Sequence, residues 1–423
     1  EMDELEKERK GFAYIARQLG CKNTFNFLSD EGLLPNYAFP EAGITLKSIL
    51  YREKDNENDT LKGRKKYDII TDEYSRSASS AISEFAPNNE FYVKGHSLKI
   101  DQIDLTTVKP IRWRLCPNCS HAEPAGNNSA ITSCPVCGSV GWADSGQVRS
   151  MLKFQTVYSS MSYEKSRIDD SSESRTVQFY CKQTLVDVDE DKDITQAYQM
   201  DNDKFTFGYE FIKKATIREI NFGEKDDIGE DLVIAGNEAK RKGFKICKSC
   251  GKIQTKKPEH ARYCKNKNID LNNKEAYEDC LFLYREFNTE ALRLLIPATT
   301  VIESSMVRQE SFIAAFMLGM KKYFGNVDHL KACVSDVPIE NSPMKKQYLV
   351  IYDSVPGGTG YLKQLMQKEN ALIEVLEKAL RVVKDCNCDD GCYHCLFAYR
   401  QSKNNGEISK KVAVELLTNI LKG

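Results

Sequence analysis

The sequence lacks the motifs that mark the common ATP-driven and hydrolytic enzymes. None of its 423 residues belongs to a G-x4-G-K-S/T loop or a DEAH-type sequence, so this chain cannot itself be an ATP-driven motor. It also contains no H-E-x-x-H and no G-x-S-x-G motif, and it has only five histidines. With no catalytic motif present, the sequence leaves open whether the chain is an enzyme or a binding module.

The chain also has little net charge and no long apolar run. Lys and Arg total 60 against 61 Asp and Glu, which gives a net charge of −1 at pH 7. A neutral chain produces no overall attraction to nucleic acid or membranes, so any affinity for nucleic acid must come from local patches. No apolar run approaches the roughly 20 residues of a membrane span, and the acidic first residues are unlike a signal peptide. We therefore expect a cytoplasmic protein without a membrane partner.

Cysteine, in contrast, is abundant, and its spacing indicates metal rather than disulfides. Most of the 15 cysteines lie in close groups. In a large chain of a reducing cytosol such groups bind metal, whereas small secreted proteins use them for disulfides. Four cysteines are isolated and are predicted to pack as small hydrophobic residues: Cys21, Cys181, Cys280 and Cys333.

The first cysteine group has the spacing of a zinc ribbon. Two C-x2-C pairs, separated by 14 residues, form it: Cys116, Cys119, Cys134 and Cys137. Each pair can form a tight knuckle whose two thiolates bind one side of a tetrahedral ion. A redox-active pair is the alternative, but thioredoxin-like motifs occur singly within a βαβ pattern, which is absent here. The neighbouring His121 could replace a ligand, although four cysteines need no replacement.

The second group has C-x2-C-x9-H-x3-C spacing and lies in the most basic stretch of the chain. Its predicted zinc ligands are Cys247, Cys250, His260 and Cys264. Residues 240–267 contain 11 Lys or Arg against one acid, Glu259, which favours phosphate contacts. The predicted nucleic-acid contacts are Lys240, Arg241, Lys242, Lys256, Lys257 and Arg262. A lysine-rich face that serves only solubility is the alternative.

The third group, Cys386, Cys388, Cys392 and Cys395, follows a glycine turn and a helical pattern. The turn comprises Asp353, Gly357, Gly358 and Gly360, directly after an apolar run of strand type. Backbone N–H groups in such a turn could bind an anion such as a phosphate, or the glycines could only let strand and helix pack closely. Asp353 could cap the turn or, with another acid, serve a metal-dependent nuclease.

The turn and the third cysteine group together resemble a known family. D-x-x-P-G-G-x-G after an apolar strand, then a helical spacer and C-x-C-x3-C-x2-C, is similar to the helicase-associated four-cysteine (MrfA-type) zinc-binding domain. That family includes the C-terminal regions of DEAD/DEAH-box helicases and DISARM DrmB-like phage-defence subunits. The match covers about residues 301–421, and residues 33–40 resemble the segment that follows the motor in such helicases.

The resemblance implies an accessory region that binds DNA or RNA and positions it for an ATP-driven motor. The motor would precede this sequence on the same polypeptide or lie on a separate chain, and the pathway would be antiphage defence or DNA repair. A free-standing partner subunit and a metal-dependent nuclease are the competing interpretations. Each of the three predicted zinc ions has four protein ligands, so none keeps an open position for water, which argues against a zinc hydrolase.

The patterns predict an α+β, multidomain fold in which zinc-ribbon and zinc-knuckle insertions interrupt a mixed helix/sheet scaffold, with a C-terminal helical four-cysteine zinc domain. The segments are a connector (1–110), the ribbon (111–145), a β-rich domain (146–240), the knuckle (241–270) and the C-terminal domain (271–423). Helices are predicted at residues 3–19, 73–85, 277–295, 301–323, from 362, 371–383 and 409–421. Strands are predicted at 91–93, 98–100, 154–158, 176–180, 205–211, 216–222 and up to 353.

Overall fold

The computed structural model divides the chain into two compact units, and neither is continuous in sequence. It describes residues 9, 12, 43–53, 67–126, 132–168, 178–200, 207–225, 229–255, 258–297, 304–339, 345–368, 370–397 and 405–422. Apart from residues 9 and 12, the first unit draws its described residues from 40–185 and 218–286, and the second from 186–217 and 287–423. The units therefore group stretches that the sequence analysis assigned to different segments. Residues 33–40 and nearly all of the predicted helix 3–19 lie outside the described ranges.

Strands and helices both contribute, as the α+β prediction requires. The strands are β1 Ile44–Glu53, β2 Tyr67–Arg76, β3 Glu90–Val93, β4 His96–Lys99, β5 Gln102–Ile103, β6 Ile111–Leu115, β7 Ala122–Pro124, β8 Val148–Lys153, β9 Thr156–Ser162, β10 Tyr180–Asp187, β11 Ile194–Gln199, β12 Gly208–Glu224, β13 Glu230–Ile234, β14 Asn237–Arg241, β15 Phe244–Cys247, β16 Tyr277–Leu295, β17 Leu330–Pro338 and β18 Lys345–Asp353. The helices are α1 Ala78–Glu84, α2 Tyr163–Ser166, α3 Glu190–Asp193, α4 Ser305–Phe324, α5 Tyr361–Gln367, α6 Ala371–Asp385 and α7 Lys410–Lys422. Within the described ranges no helix is long and apolar enough to cross a membrane.

The first unit is built on two sheets. In one, β1 pairs antiparallel with β2 and parallel with β9, and every second residue of β1 from Ile44 to Leu50 is buried. In the other, β8 pairs antiparallel with β6 and parallel with residues 281–284 of β16. The hairpin β3–β4, predicted from residues 91–100, packs on the first sheet through Phe91. This unit holds the first two cysteine groups.

The second unit packs helices on a short antiparallel sheet. Residues 291–295 of β16 pair with β18, which pairs in turn with β17. Helices α4, α6 and α7 contribute Phe312, Leu376 and Leu416 to one apolar core with Leu349 of β18. Gly319 of α4 lies where a Cβ atom would clash with the backbone of Val375, so the glycine permits close packing of α4 on α6. The sheet and helices carry the glycine turn and the third cysteine group.

The prediction of a helix at residues 277–295 was wrong, since this stretch is the 19-residue strand β16. Its side chains alternate between separate apolar cores: Leu281 and Leu283 enter one, while Phe282 and Tyr284 enter another. A strand buried on both faces presents a nearly continuous apolar run, which periodicity cannot distinguish from a buried helix. Helix 73–85 is also shorter than predicted, because residues 73–76 end strand β2.

Candidate metal centres and charged loop

The donor atoms of each predicted cysteine group lie together in space. The three sets are Cys116, Cys119, Cys134 and Cys137, then Cys247, Cys250, His260 and Cys264, then Cys386, Cys388, Cys392 and Cys395, and the donors of each set lie within 4.8 Å of one another. Neighbouring sulfurs are 3.5–3.7 Å apart in the third centre. A tetrahedral ion with Zn–S bonds of about 2.3 Å separates its sulfurs by about 3.8 Å, whereas a disulfide requires about 2.05 Å. The geometry fits a bound zinc ion and excludes disulfides.

The first centre is stabilised by backbone N–H groups and by a buried tryptophan. The Cys116 Sγ accepts hydrogen bonds from the backbone N–H groups of Asn118 and Cys119, both at 3.4 Å. Such donors stabilise the thiolate, which is the form that binds metal. Trp142 is fully buried and packs with the four cysteines as the apolar centre of the ribbon. The ribbon is thus a small core whose side chains are mainly the ligands themselves.

Hydrogen bonds and close packing hold the second centre against strand β5. The knuckle around Cys247 and Cys250 is closed by hydrogen bonds from Gly251 N–H to the Cys247 carbonyl and from Cys247 N–H to the Lys252 carbonyl. Gln102 donates its side-chain amide to the Cys250 carbonyl at 2.8 Å. Gly251 has φ +71°, and a Cβ atom there would clash with the carbonyl oxygen of Ile103. This close approach fixes the position of the knuckle.

A hydrogen-bond chain sets the tautomer of His260. The Tyr277 hydroxyl donates its single proton to the Ile269 carbonyl at 3.1 Å, so it must accept from the His260 Nε2–H that lies 3.0 Å away. This leaves the Nδ1 lone pair free, and Nδ1 lies 3.8 Å from Cys250 Sγ, among the donor sulfurs. Burial, together with the nearby Lys267, lowers the pKa of His260, which favours the neutral ring that metals bind. Tyr277 therefore orients the imidazole as a ligand.

The third centre follows directly after helix α6 and is joined to the main core of the second unit. Cys395 and Leu396 are buried in that core, and Cys386, Cys388 and Cys392 pack against it. The Lys410 ammonium at the start of α7 donates to the carbonyl oxygens of Cys386 and Cys388. His394, between Cys392 and Cys395, is exposed. Two helix ends and the metal ligands thus form one connected structure.

The carboxylate of Asp353 closes the glycine turn. Asp353 is fully buried, and its Oδ1 accepts from Val355 N–H at 2.9 Å while Oδ2 accepts from the Thr359 N–H at 2.7 Å and from the Thr359 hydroxyl. Both carboxylate oxygens are therefore occupied within the turn. The capping interpretation of Asp353 agrees with this geometry, whereas a nuclease would need a carboxylate that solvent and substrate can reach.

Glu290, which the sequence analysis did not single out, takes the N–H groups at the start of α5. Its Oε1 accepts from Leu362 N–H at 3.2 Å, and the backbone of Gly360 also hydrogen-bonds to it. Gly358 packs so closely that a Cβ atom would lie 2.6 Å from the Glu290 Cγ. Burial, and then the charge of Asp353, raise the pKa of Glu290. Because these protein carboxylates use the turn's donors, the turn does not serve as a phosphate site.

The basic stretch around the second centre is largely neutralised by the protein itself. Four of its lysines form ion pairs with acids elsewhere in the first unit: Lys242 with Glu224, Lys245 with Asp279, Lys248 with Glu278 and Lys252 with Asp101. Lys252 is almost fully buried, and Lys240 also has an interaction partner. A local excess of positive charge in the sequence therefore does not mean an open cationic surface.

The prediction that Arg241 contacts nucleic acid was wrong. Arg241 is 1% exposed, and its guanidinium donates to the Gln183 side chain and to the backbone carbonyl of Leu232 while it stacks over Phe222 at 4.6 Å. An arginine that is held inside a core cannot reach a phosphate. Lys256 and Lys257 lie outside the described residues.

A cluster of exposed cations remains on the segment that begins after His260 and ends just past Cys264. We call Arg262, Tyr263, Lys265 and Lys267 the ligand loop. Its three cations are exposed, and none of them has an acidic partner among the residues that the structure describes. Among the described residues of the basic stretch, the ligand loop is therefore the part whose cations are open to a phosphate backbone, and of its members only Arg262 was among the predicted contacts.

Comparison with known proteins identifies one part of the chain. Residues 290–396 match the family described as the MrfA Zn-binding domain. The match begins at Glu290 and ends just after Cys395, so it contains both the glycine turn and the third metal centre. The resemblance seen in the sequence is confirmed, and the chain carries a zinc-binding domain of the MrfA type.

The similar proteins differ in length and in the share of this chain that they match. Druantia protein DruE of Escherichia coli is 22% identical over 436 residues, which cover 94% of this chain and 22% of DruE. An uncharacterized protein of Methanocaldococcus jannaschii is 33% identical over 76 residues, which cover 18% of this chain and 65% of that protein. The crystal structure of the DUF1998 helicase MrfA bound to DNA aligns with a TM-score of 0.39 and 12% identity, covering 88% of this chain and 34% of that chain. This chain thus spans a minor part of DruE and of MrfA.

Proposed function

We propose that this chain is a non-motor accessory region of a DEAD/DEAH-box helicase that binds nucleic acid and positions it for the ATP-driven motor. The observation that carries the proposal is the MrfA-type zinc-binding domain at residues 290–396. The motor stands on the same polypeptide or on a partner subunit, and the complex acts in the cytoplasm. Similarity to DruE, a phage-defence protein, supports antiphage defence, with DNA repair as the other pathway.

The role of zinc in this proposal is rigidity. Three closed donor sets, each with four protein ligands, support three structural zinc ions rather than a catalytic one. The ribbon and the knuckle bury few apolar side chains besides their own ligands, so a bound ion supplies folding energy that their cores cannot. A stiff frame lets the chain hold a nucleic-acid strand in a fixed position relative to a motor.

The nucleic-acid contact is tested by reversing the charge of exposed cations of the ligand loop. The affinity of this variant for an oligonucleotide is compared with that of a variant in which an exposed lysine outside the basic stretch is reversed. We expect the double variant Arg262→Glu, Lys265→Glu to weaken binding of a fluorescent oligonucleotide. Its slope of log affinity against log salt should flatten by about 0.7 for each lost phosphate contact on single strands. The matched control is Lys192→Glu, an 80% exposed lysine in the acidic segment 187–193.

Two results would contradict the proposal. Wild-type protein that binds no DNA or RNA oligonucleotide at low salt would remove nucleic acid as the partner. Each Lys→Glu or Arg→Glu change alters the charge by −2, so a loss in Lys192→Glu of about half that in the double variant, on the scale of binding free energy, would show that binding follows total charge rather than the ligand loop. Co-purification of this protein with a separate ATPase would place the motor on a partner subunit. A longer native polypeptide that carries motor motifs would place it on the same chain.

A further inference from the structure

The most exposed large apolar side chain among the described residues is Tyr263, at 88%. It lies between His260 and Cys264, two predicted ligands of the second metal centre, so a bound ion would hold the backbone on both sides of it. An exposed aromatic ring on a segment held in this way loses little conformational freedom when it binds a partner. The fold thus presents a ring outward from a rigid support rather than burying it.

The surroundings of Tyr263 are cationic. The guanidinium of Arg262 lies 5.4 Å from the centre of the ring, and Lys265 and Lys267 are exposed on the same loop. A ring next to cations that lack acidic partners combines the two contacts that single-stranded nucleic acid requires, base stacking and phosphate pairing. A docking site for an apolar protein surface would instead surround the ring with other apolar side chains, and the ligand loop has none.

We propose that the ligand loop is a binding site for single-stranded nucleic acid, in which Tyr263 stacks on an unpaired base while Arg262, Lys265 and Lys267 contact the flanking phosphates. This inference rests on the proposed function and adds the strand state of the ligand to it. Duplex bases are already stacked on each other inside the helix, so the ring gains its stacking contact only from unpaired bases. The site accepts any base because every base has a π-face.

The third metal centre provides an internal control, because it also exposes a tyrosine between two ligands. Tyr393 lies between Cys392 and Cys395 and is 66% exposed. The exposed acids Asp389 and Asp390, four and three residues before it in the chain, repel phosphates. Both centres therefore present an exposed ring between two metal ligands, but among the described residues only the ring of the second centre has exposed cations beside it on its own loop.

The test measures fluorescence anisotropy of the full chain with an oligothymidylate and with a duplex hairpin, each labelled with fluorescein. We expect Tyr263→Ala to weaken binding of the oligothymidylate by at least about five-fold, since a stacked base contributes about that much or more. Tyr263→Phe should stay within about two-fold of wild type, because it keeps the ring. Binding of the duplex should be unchanged in both variants, and Tyr393→Ala should bind like wild type.

The outcomes separate this inference from the proposed function. If wild type binds and Tyr263→Ala binds the oligothymidylate equally well, the stacking site is rejected and the accessory role stands. If wild type binds neither probe, both are rejected. An equal loss on single strand and duplex also rejects the stacking site, provided that Tyr263→Ala retains the zinc content and circular dichroism of wild type. A loss confined to the single strand supports it.

Discussion

In the third metal centre, Cys395 is buried in the largest apolar core of the second unit, and the other three cysteines pack against that core. In the second centre, by contrast, the ligands share a small apolar cluster with little more than Ala276 and Tyr277. The donor chemistry is nearly the same, with four thiolates in one centre and three thiolates and an imidazole in the other. The difference lies in what each ion holds in place.

The third donor set lies between the end of α6 and the start of α7, so an ion bound there would stabilise elements that also pack through side chains. An ion bound by the second donor set would instead hold a loop that exposes cations and Tyr263 and has few apolar contacts of its own. A zinc ion can therefore reinforce a core or replace one. We therefore expect a ligand variant of the third centre to lower mainly the free energy of unfolding, and one of the second centre to lower mainly the affinity for nucleic acid.

The largest effect is expected from Cys388→Ser in the third centre. A lost thiolate opens the metal shell beneath α6 and α7, and we expect the free energy of unfolding to fall by about 3 kcal/mol or more. Cys264→Ser in the second centre should cost less stability but should abolish selective binding of the oligothymidylate. Calorimetry, zinc analysis and anisotropy on both variants check this contrast. Equal loss of stability in the two variants would contradict the distinction between the centres.

A second prediction is that the glycine turn of the second unit stabilises the fold independently of the third metal centre. Asp353→Asn replaces an oxygen that accepts hydrogen bonds with an amide N–H that faces the N–H groups of the turn. Loss of these buried hydrogen bonds should reduce the free energy of unfolding by about 2–3 kcal/mol, measured by urea denaturation. The zinc content should stay at the wild-type value.

Asp389→Asn is the control for this variant, since it makes the same chemical change at an exposed position beside the third centre. It should shift stability by no more than about 0.5 kcal/mol. If Asp353→Asn instead lost zinc in proportion to its loss of stability, the turn and the metal centre would act as a single element.

A third prediction concerns the hydroxyl that orients His260. Tyr277→Phe keeps the buried ring but removes the acceptor of the Nε2–H, so the imidazole is free to turn or to change tautomer. We expect the zinc affinity of the second centre to fall by about ten-fold, measured by competition with a chelator. Tyr393→Phe is the control at the third centre, where the tyrosine is exposed. An unchanged affinity would show that packing alone orients the ring.

The metal ligands could be predicted because spacing alone fixes them: a C-x2-C pair must form a knuckle, and the donors of a closed shell must meet. The glycine turn was recognised for the same reason, but its use was not. Glu290 lies 63 positions before Asp353 in the chain, and nothing local indicates that its carboxylate takes the N–H groups of α5. The same holds for Tyr277, whose role depends on contacts with Ile269 and His260.

The basic stretch shows the limit of reading charge from sequence. Its lysines pair with acids that are distant in the chain, such as Lys252 with Asp101, so composition overstated the open cationic surface. Strand β16 was mistaken for a helix because two cores bury its two faces. Burial of both faces of a strand and ion pairing between distant residues depend on the tertiary structure, so local sequence patterns do not predict them.

The smallest predicted effect is a pH dependence of the free energy of unfolding, which arises from Glu290 in the second unit. Burial and the neighbouring Asp353 raise the pKa of Glu290, while the N–H groups of α5 oppose that rise in part. A carboxyl whose pKa is higher in the folded state binds its proton more tightly there than in the unfolded chain. Its stabilising contribution is therefore fully present below the unfolded pKa and is lost as the pH rises through the folded pKa.

Glu290→Gln removes this titration while it keeps one oxygen for the Leu362 N–H. We expect the stability of the variant relative to wild type to increase from acidic to neutral pH, by about 1 kcal/mol or less, because only wild type acquires the buried charge. Glu377→Gln is the control, since Glu377 is exposed on α6. Thermal melts of all three proteins at a series of pH values check the sign. If the stability of Glu290→Gln relative to wild type instead decreased toward neutral pH, the N–H groups of α5 would outweigh burial. The charged Glu290 carboxylate would then stabilise the core of the second unit, as we expect of the third metal centre.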